Sequence, residues 1–574
     1  MKLTGAEILW ECLLREGVDL VFGYPGGAIL PAYDAMTKYK QIHHVLVRHE
    51  QGAVHMADGY ARATGKVGVA LATSGPGATN MVTGIATAML DSSPVVCITG
   101  QVPTGVIGSD AFQEVDITGI TIPITKHNYL LTDVEELVDT IREAFHIART
   151  GRQGPVLIDI PKDVQIAISD FKYPEEPISV PSELPISKGD EAEVEAAIEL
   201  INSAKRPFIL AGHGVSLSGA EKELQEFSEL GHIPVGLTLL GKGALAEGHP
   251  LCFGMMGMHG EACVNHAIQE ADLLLAFGMR FDDRVTGDLK TYALKSKKIH
   301  VDIDAAEINK NVRADVGIVG NLKDVLNQFI PMMKSINRGA WISQIRDWQK
   351  GTSVREFYTR ESNGKLYAVH VIRDLWKLTG GDCLVVTDVG QHQMWEAQYY
   401  QHERPRTLLT SGGLGTMGFG FPAAIGAKLG KPEESVWAIV GDGGFQMTMT
   451  ELATAVEQKA NVIIAIMNNR YLGMVRQWQE FFYEERYSAS PMGSPDFCLL
   501  ADAYKVPNIR VTKREEIADS VAFAKEHSEG PVLIEYVVEK HDIVYPMVPA
   551  GAALHKMIRR PLAEQVAEEE TVES

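Results

Sequence analysis

The chain has 574 residues, 45% hydrophobic and 22% charged; this composition excludes long-range disorder, and the length exceeds what one hydrophobic core supports. Lys and Arg number 53 against 74 Asp and Glu, a net charge of −21, which argues against nucleic acid or an anionic membrane as partner. It does not argue against small anions, which backbone N–H groups bind whatever the net charge.

Residues 1–165 alternate two patterns. Ala6 to Leu14 reads as an amphipathic helix, and the apolar runs Val18 to Phe22, Val45 to Val47, Val67 to Ala72, Val95 to Thr99 and Val156 to Ile160 read as strands. Strands separated by helix-length segments pair in parallel through helical crossovers. Residues 166–190 carry Pro174, Pro177, Pro181 and Pro185 and read as a linker. A second α/β block covers 191–330, with strands at Phe208 to Leu210, Leu273 to Phe277 and Ile299 to Ile303. Within it, Gly212-His213-Gly214 follows a strand, where a glycine-permitted turn is the plain reading. Residues 331–365 read as a second linker with helical content, 366–540 as a third α/β block, and 541–574 as an arm with the solvated acidic tail Glu568-Glu569-Glu570. The expected fold class is α/β, with three doubly wound parallel-sheet domains, the outer two alike.

The six cysteines, Cys12, Cys97, Cys252, Cys263, Cys383 and Cys498, form no CxxC pair, so neither a disulfide framework nor structural zinc is expected. The N-terminus lacks the apolar core of a signal peptide and no run approaches ~20 apolar residues. A soluble, cytoplasmic protein is expected.

The chemistry concentrates at Gly441-Asp442-Gly443-Gly444 and Asn468-Asn469. Each follows an apolar run, Val436 to Val440 and Val462 to Met467, and right-handed crossovers bring the C-terminal ends of successive parallel strands to one sheet edge. Oxygens of Asp442 and Asn469 can therefore converge on one hard cation such as Mg²⁺ holding a phosphate. Gly443 and Gly444 let the backbone approach that phosphate before a helix expected to begin at about Thr448. GDG alone is common in turns; its spacing from the next strand and Asn-Asn is what points to a diphosphate.

This spacing resembles the diphosphate motif of thiamine-diphosphate enzymes. The resemblance calls for a Glu at a strand end of the first block, and Val45-Leu46-Val47-Arg48-His49-Glu50 supplies it. Taken alone, Glu50 is an acid favourable to the dipole of the helix Gln51 to Thr64. Further segments are similar to the catalytic large subunits of acetohydroxyacid synthase, also called acetolactate synthase: Phe22-Gly23-Tyr24-Pro25-Gly26-Gly27, Thr73-Ser74-Gly75-Pro76-Gly77-Ala78-Thr79-Asn80, Arg280-Phe281-Asp282-Asp283-Arg284, Ser411 to Gly418, Gln477-Trp478-Gln479 and Val544-Tyr545-Pro546-Met547. They occur in that family's order and span all but the last ~20 residues.

The resemblance implies a set of roles. Glu50 would hydrogen-bond the aminopyrimidine, with Gly415 and Met417 beside the ring, and Gly26 and Gly27 would belong to the same thiamine diphosphate site. Asp442, Asn469 and the carbonyl of Tyr471 would hold Mg²⁺, and Gln391, His392, Gly443 and Gly444 would hold the diphosphate, with Met447 beneath the bent cofactor and Gly473 and Met474 also among the cofactor's contacts. His392 and Met447 also read as ordinary core residues. Arg284 would bind the carboxylate of the acceptor 2-keto acid; its plain alternative is a surface pair with Asp282 or Asp283. Trp478 would pack on the acceptor's alkyl group, Gln113 would donate to substrate, and Lys162 would lie near the channel mouth. Otherwise Trp478 is a core or interface aromatic and Lys162 a solvated lysine.

In the middle domain, Rossmann-like by the same resemblance, Leu239, Met258, His259, Gly278, Arg280, Asp282, Arg284, Asp302, Ile303 and Asn321 would bind FAD, with Arg152 from the first domain. FAD has no net redox role in a carboligation. The implied reaction takes pyruvate, with pyruvate or 2-ketobutyrate as acceptor, in the first common step of branched-chain amino acid biosynthesis. A homodimer or higher oligomer and a separate regulatory small subunit are implied partners. Pyruvate oxidase, glyoxylate carboligase and the catabolic acetolactate synthase are the rival readings; Glu50 disfavours glyoxylate carboligase, the Arg280 to Arg284 and Gln477 to Gln479 segments disfavour the catabolic synthase, and pyruvate oxidase stays open.

Overall fold

The computed structural model describes residues 1–176, 178, 188–350 and 364–560. The linker prolines Pro177, Pro181 and Pro185 and the acidic tail lie outside the described residues. The chain forms two compact units: residues 1–185, 382–393 and 409–540 make one, and residues 186–381, 394–408 and 541–574 the other.

The first unit holds two six-stranded sheets. One runs, in spatial order, His43–Leu46, Leu20–Gly23, Gly68–Ala72, Val95–Gln101, Val156–Pro161 and His127–Leu130, all parallel. The other runs, in spatial order, Leu408–Leu409, Leu384–Thr387, Val436–Gly441, Val462–Asn468, Val532–Val537 and Asn508–Val511, the last five parallel. Their central strands are buried throughout, as sheets covered on both faces require. The second unit holds the third sheet, in the order Cys252–Met255, Val235–Leu237, Pro207–Ala211, Leu273–Phe277, Lys297–Asp302 and Val316–Val319, again parallel. The α/β fold of three parallel sheets is the expected one.

Within the first unit the two sheets share one core. Val45 and Ala70 of one belong to the same buried cluster as Val436 and Ile464 of the other, with Val54 and Ile425 of the helices between them. Helix Glu50–Thr64, begun by the His49 side chain accepting from Gln51 N and ended by Gly65 at φ +76°, packs on helix Gly420–Gly430. The contact is between backbones: a Cβ at Gly59 would collide with the Ala423 carbonyl, and one at Gly426 with that of Met56. Glycine at both positions is what lets the helices approach so closely.

Two local expectations change. The helix after the GDG turn spans Asp442–Thr448 and does not begin near Thr448. Gly441 is still extended, at φ −81° and ψ 156°, so Asp442 itself is the first helical residue, where a carboxylate is favoured. At Gly212 to Gly214 the glycines serve close packing, because a Cβ at either would strike Gly278. Among the described residues no helix is long and apolar enough to cross a membrane.

Candidate active site

The C-terminal ends of Leu384–Thr387, Val436–Gly441 and Val462–Asn468 lie along one edge of their sheet, and each delivers part of one cluster. Asp442 is buried and its Oδ2 accepts from Ser494 Oγ at 2.6 Å. Burial pushes its carboxyl up to about 6, against the Ser494 hydroxyl and nearby backbone N–H groups that pull it down. The two asparagines separate in role. Asn468 turns into the sheet and donates to Glu535 Oε1 (2.7 Å), whereas Asn469 Oδ1 accepts from Tyr471 N (2.9 Å) and its Nδ2 donates to Gln391 Oε1 (3.4 Å). Gln391 Nε2 in turn donates to Gln477 Oε1 (3.0 Å). A Cβ on Gly473 would strike Gln391 Oε1, so this glycine keeps the amide cluster compact.

His392 is buried, and burial drives its imidazole down to about 3, hence neutral. Its Nε2 has no hydrogen-bond partner within the protein, and buried polar atoms are rarely left so without a ligand or water. A carboxylate, an amide oxygen, an unsatisfied ring nitrogen and glycine backbone at one sheet edge form a donor set that fits Mg²⁺ and a diphosphate. Met447 is 60% exposed, so core packing does not account for it. Met474 follows Gly473 in helix Gly473–Phe482, whose Trp478 meets Phe482 in a tilted ring contact with centroids 5.3 Å apart.

A second group lies on the other sheet of this unit. Glu50, 9% exposed, opens its helix and accepts from Asn80 Nδ2 through Oε2 at 2.9 Å. Gly77 faces Glu50 Oε1, and a Cβ on Gly26 would strike Thr73, whose hydroxyl accepts from Ala28 N. Gln113, at φ +61°, presses its backbone against Gly75. These bring Gly26, Gly27, Glu50, the 73–80 turn and Gln113 together. Lys162 begins the short helix Lys162–Ile166, and Asp163 beside it accepts from Thr104 N (3.0 Å), at the base of the loop that carries Gln113.

Several residues that sequence reasoning missed fasten these parts. Asp388, fully buried, accepts from Val389, Gly418 and Gly420 N at 2.8 to 3.0 Å and so holds the backbone on either side of Phe419. Glu451, also fully buried, accepts from Arg48 N and His49 N, both at 3.0 Å, immediately before Glu50. Burial raises its carboxyl above the usual range, opposed by those amides and the Thr454 hydroxyl. Glu451 carries no local signal in sequence, because its backbone partners lie some 400 positions away.

In the second unit, the segments after Val235–Leu237, Leu273–Phe277, Lys297–Asp302 and Val316–Val319 bring Leu239, Gly278, Asp302, Ile303 and Asn321 to one sheet edge. Met258 N donates to the Arg284 carbonyl (2.7 Å), and His259 Nδ1 meets the Pro546 carbonyl at 3.0 Å. Asp282 caps helix Asp283–Thr286, and burial raises its carboxyl. Arg280 is half-buried. Arg284 Nη1 lies 3.5 Å from Met258 Sδ and 3.8 Å from Asp283 Oδ2, and its side chain is largely solvent-facing. A sheet edge lined with backbone turns and acids fits a dinucleotide. Arg152 is in the first unit, where its Nε donates to Ser92 Oγ at 3.1 Å.

The sequence matches three family models: "Thiamine pyrophosphate enzyme, N-terminal TPP binding domain" over 3–120, "central domain" over 194–329 and "C-terminal TPP binding domain" over 388–536. It is 48% identical over 560 residues to the acetolactate synthase large subunit of Corynebacterium glutamicum, covering 96% of this chain and 89% of that one. Against the Mycobacterium tuberculosis large subunit IlvB1 it is 47% identical over 580 residues, 99% and 94% of the two chains. A probable large subunit from Methanocaldococcus jannaschii is 47% identical over 566 residues, 97% and 95%. With the Glu50 group on one sheet and the Asp442 group on another, and with these likenesses running nearly end to end, the chain belongs to the acetolactate synthase large-subunit family of thiamine pyrophosphate enzymes.

Proposed function

We propose that this chain decarboxylates pyruvate with thiamine diphosphate and joins the two-carbon fragment to a second 2-keto acid. The product is 2-acetolactate from pyruvate, or 2-aceto-2-hydroxybutyrate from 2-ketobutyrate. The observation that carries this reading is the Asp442, Asn469 and Gln391 cluster beside the partnerless His392 Nε2. When bound, the cofactor supplies a thiazolium that accepts the electrons released as CO₂ leaves. Asp442, Asn469 and the Tyr471 carbonyl would hold Mg²⁺. His392 Nε2 and the N–H groups of Gly443 and Gly444 would donate to the diphosphate. Met447 would support the cofactor from below, while the Gly415 carbonyl and Met417 would meet its pyrimidine. Glu50 would share a proton with the pyrimidine ring nitrogen, which makes the exocyclic amino group acidic enough to release a proton, so that its nitrogen could serve as the base beside the reacting carbon.

Arg284, reaching out from its short helix, would pair with the acceptor's carboxylate, and Trp478 would pack against its alkyl end. Gln113 would orient substrate, and Lys162 would attract its charge. FAD would sit at the middle sheet's edge in a structural role, since carboligation leaves no net oxidation. The Glu50 and Asp442 groups belong to different sheets, and the family resemblance pairs them across two chains; a homodimer is the smallest active form we propose. A separate regulatory small subunit and a cytoplasmic setting complete the reading.

The test is Glu50→Gln, which keeps the acceptor for Asn80 but cannot hold the proton. Turnover should fall at least ~100-fold while thiamine diphosphate still binds with Mg²⁺ and the unfolding curve is unchanged. Turnover like that of the wild type would contradict the assignment.

A further inference from the structure

Helix Glu50–Thr64 carries Arg62 in its last turn, and helix Val82–Asp91 ends at Asp91. Arg62 is 7% exposed, Asp58 0% and Asp91 1%. Arg62 Nε and Nη2 donate to the two Asp58 oxygens (2.6 and 3.0 Å), and Nη2 also donates to Asp91 Oδ2 (2.9 Å). Two carboxylates against one guanidinium leave a negative charge in the interior. The 410–413 segment of the other sheet's half offsets it. Gly412 N donates to Asp91 Oδ2 at 3.1 Å and Gly413 N to Oδ1 at 2.6 Å, while Arg62 Nη1 donates to the Thr410 carbonyl at 2.7 Å. The guanidinium also stands 5.1 Å from the Phe419 ring centre. Gly413 has to be glycine for this approach, since a Cβ there would lie 2.9 Å from Asp91 Oδ1.

Buried ion pairs contribute little net stability against their desolvation cost, so a triad of this kind is better explained by the geometry it imposes. The geometry here is local. The segment is fastened at Thr410, Gly412 and Gly413, then again at Thr416, whose hydroxyl shares a 2.7 Å hydrogen bond with that of Thr87. Between the fastenings Leu414 is 42% exposed and Gly415 turns at φ +70°. Beyond them, Asp388 holds Gly418 and Gly420. The residues carried between and beside these anchors are Gly415 and Met417, the pair assigned above to the pyrimidine.

We infer that Arg62 and Asp91 are positioning residues for the pyrimidine subsite, acting through the 410–416 segment that they anchor by charge-assisted hydrogen bonds to its backbone. This rests on the assignment of Gly415 and Met417 to that ring. One helix thereby starts at Glu50 and, at its other end, sets the loop of a pyrimidine subsite. Loss of the anchor should weaken binding of the thiamine half of the cofactor and spare the diphosphate half, which depends on Asp442, Asn469 and His392.

The experiment measures affinity of the full-length protein, freed of cofactor, for thiamine diphosphate and for inorganic diphosphate, both with Mg²⁺, by calorimetry. Asp91→Asn removes a charge and sets an amide N–H₂ against donors; it should weaken thiamine diphosphate about tenfold and leave inorganic diphosphate within about twofold. Thr87→Val, a milder change at the second anchor, should show the same selectivity to a smaller extent, and it decides the matter if Asp91→Asn does not fold. Equal losses for both ligands, or no loss for either, would overturn the positioning role. Met417→Ala separates the two levels. If it leaves thiamine diphosphate affinity unchanged, the pyrimidine assignment itself is wrong, whatever the anchor variants do.

Discussion

Glu451 offers a quantitative test of how Glu50 is held. Its Oε1 accepts from the N–H groups of Arg48 and His49, and its Oε2 from Arg48 N (3.1 Å) and Thr454 Oγ1 (2.6 Å). Thr454 Oγ1 also lies within hydrogen-bonding reach of the Leu46 carbonyl, at 3.3 Å. Glu451→Ala leaves two backbone donors without their acceptor beside a buried helix start. Each such orphan costs about 1–3 kcal/mol, so a loss of about 3 kcal/mol is expected, read as a lower denaturant midpoint at unchanged slope. Glu451→Gln keeps Oε1 for both amides, and its Nε2 can donate to Thr454, whose hydroxyl then turns to Leu46. Only charge assistance is lost, and the cost should stay within about 1 kcal/mol. Turnover should follow the same order, since the backbone at 48 and 49 aims Glu50. The reasoning fails if the alanine variant unfolds within 1 kcal/mol of wild type, or if glutamine proves as damaging as alanine.

Asp159, 1% exposed, accepts from Thr99 Oγ1 (2.7 Å) and Gln101 Nε2 (2.8 Å), and burial pushes its carboxyl up to about 7. The folded state then holds a proton that the unfolded state, near 3.9, has released, so this group's contribution is full below about 4 and is lost as pH rises through 7. The stability of wild type relative to Asp159→Asn should fall by about 1.4 kcal/mol per pH unit across that window; parallel pH profiles from denaturant titrations would refute it. Trp478→Leu should reduce the preference for 2-ketobutyrate over pyruvate several-fold in a competition assay, in keeping with the ~1–3 kcal/mol that one methylene is worth in an apolar pocket. An unchanged product ratio would remove Trp478 from acceptor selection.

The central strands are legible in the sequence because a strand covered on both faces is a continuous apolar run, as in Leu273–Phe277, found with its bounds intact. Strands with polar interruptions are not. Val532–Val537 carries Glu535, which is buried because Asn468 Nδ2 and Arg510 Nε bond it, and neither partner is evident from local pattern. The short edge strands His127–Leu130 and Asn508–Val511 lack an apolar run altogether. At the site, Asp442 and Asn469 are readable because each ends a recognisable strand. Their supports are not, since Arg62 and Asp91 meet the 410–413 backbone across more than 300 positions. The start of the helix after GDG is not legible because its glycines look like a loop; an extended Gly441 suffices to start the helix at Asp442.

Product analysis tests the central claim most directly. The protein is supplied anaerobically with pyruvate and 2-ketobutyrate, with thiamine diphosphate and Mg²⁺ present together or each omitted. The account predicts 2-acetolactate and 2-aceto-2-hydroxybutyrate only when both cofactors are present, with the six-carbon product in excess at equal acceptor concentrations. Acetaldehyde as the sole product, a requirement for oxygen, or full turnover without either cofactor would contradict it.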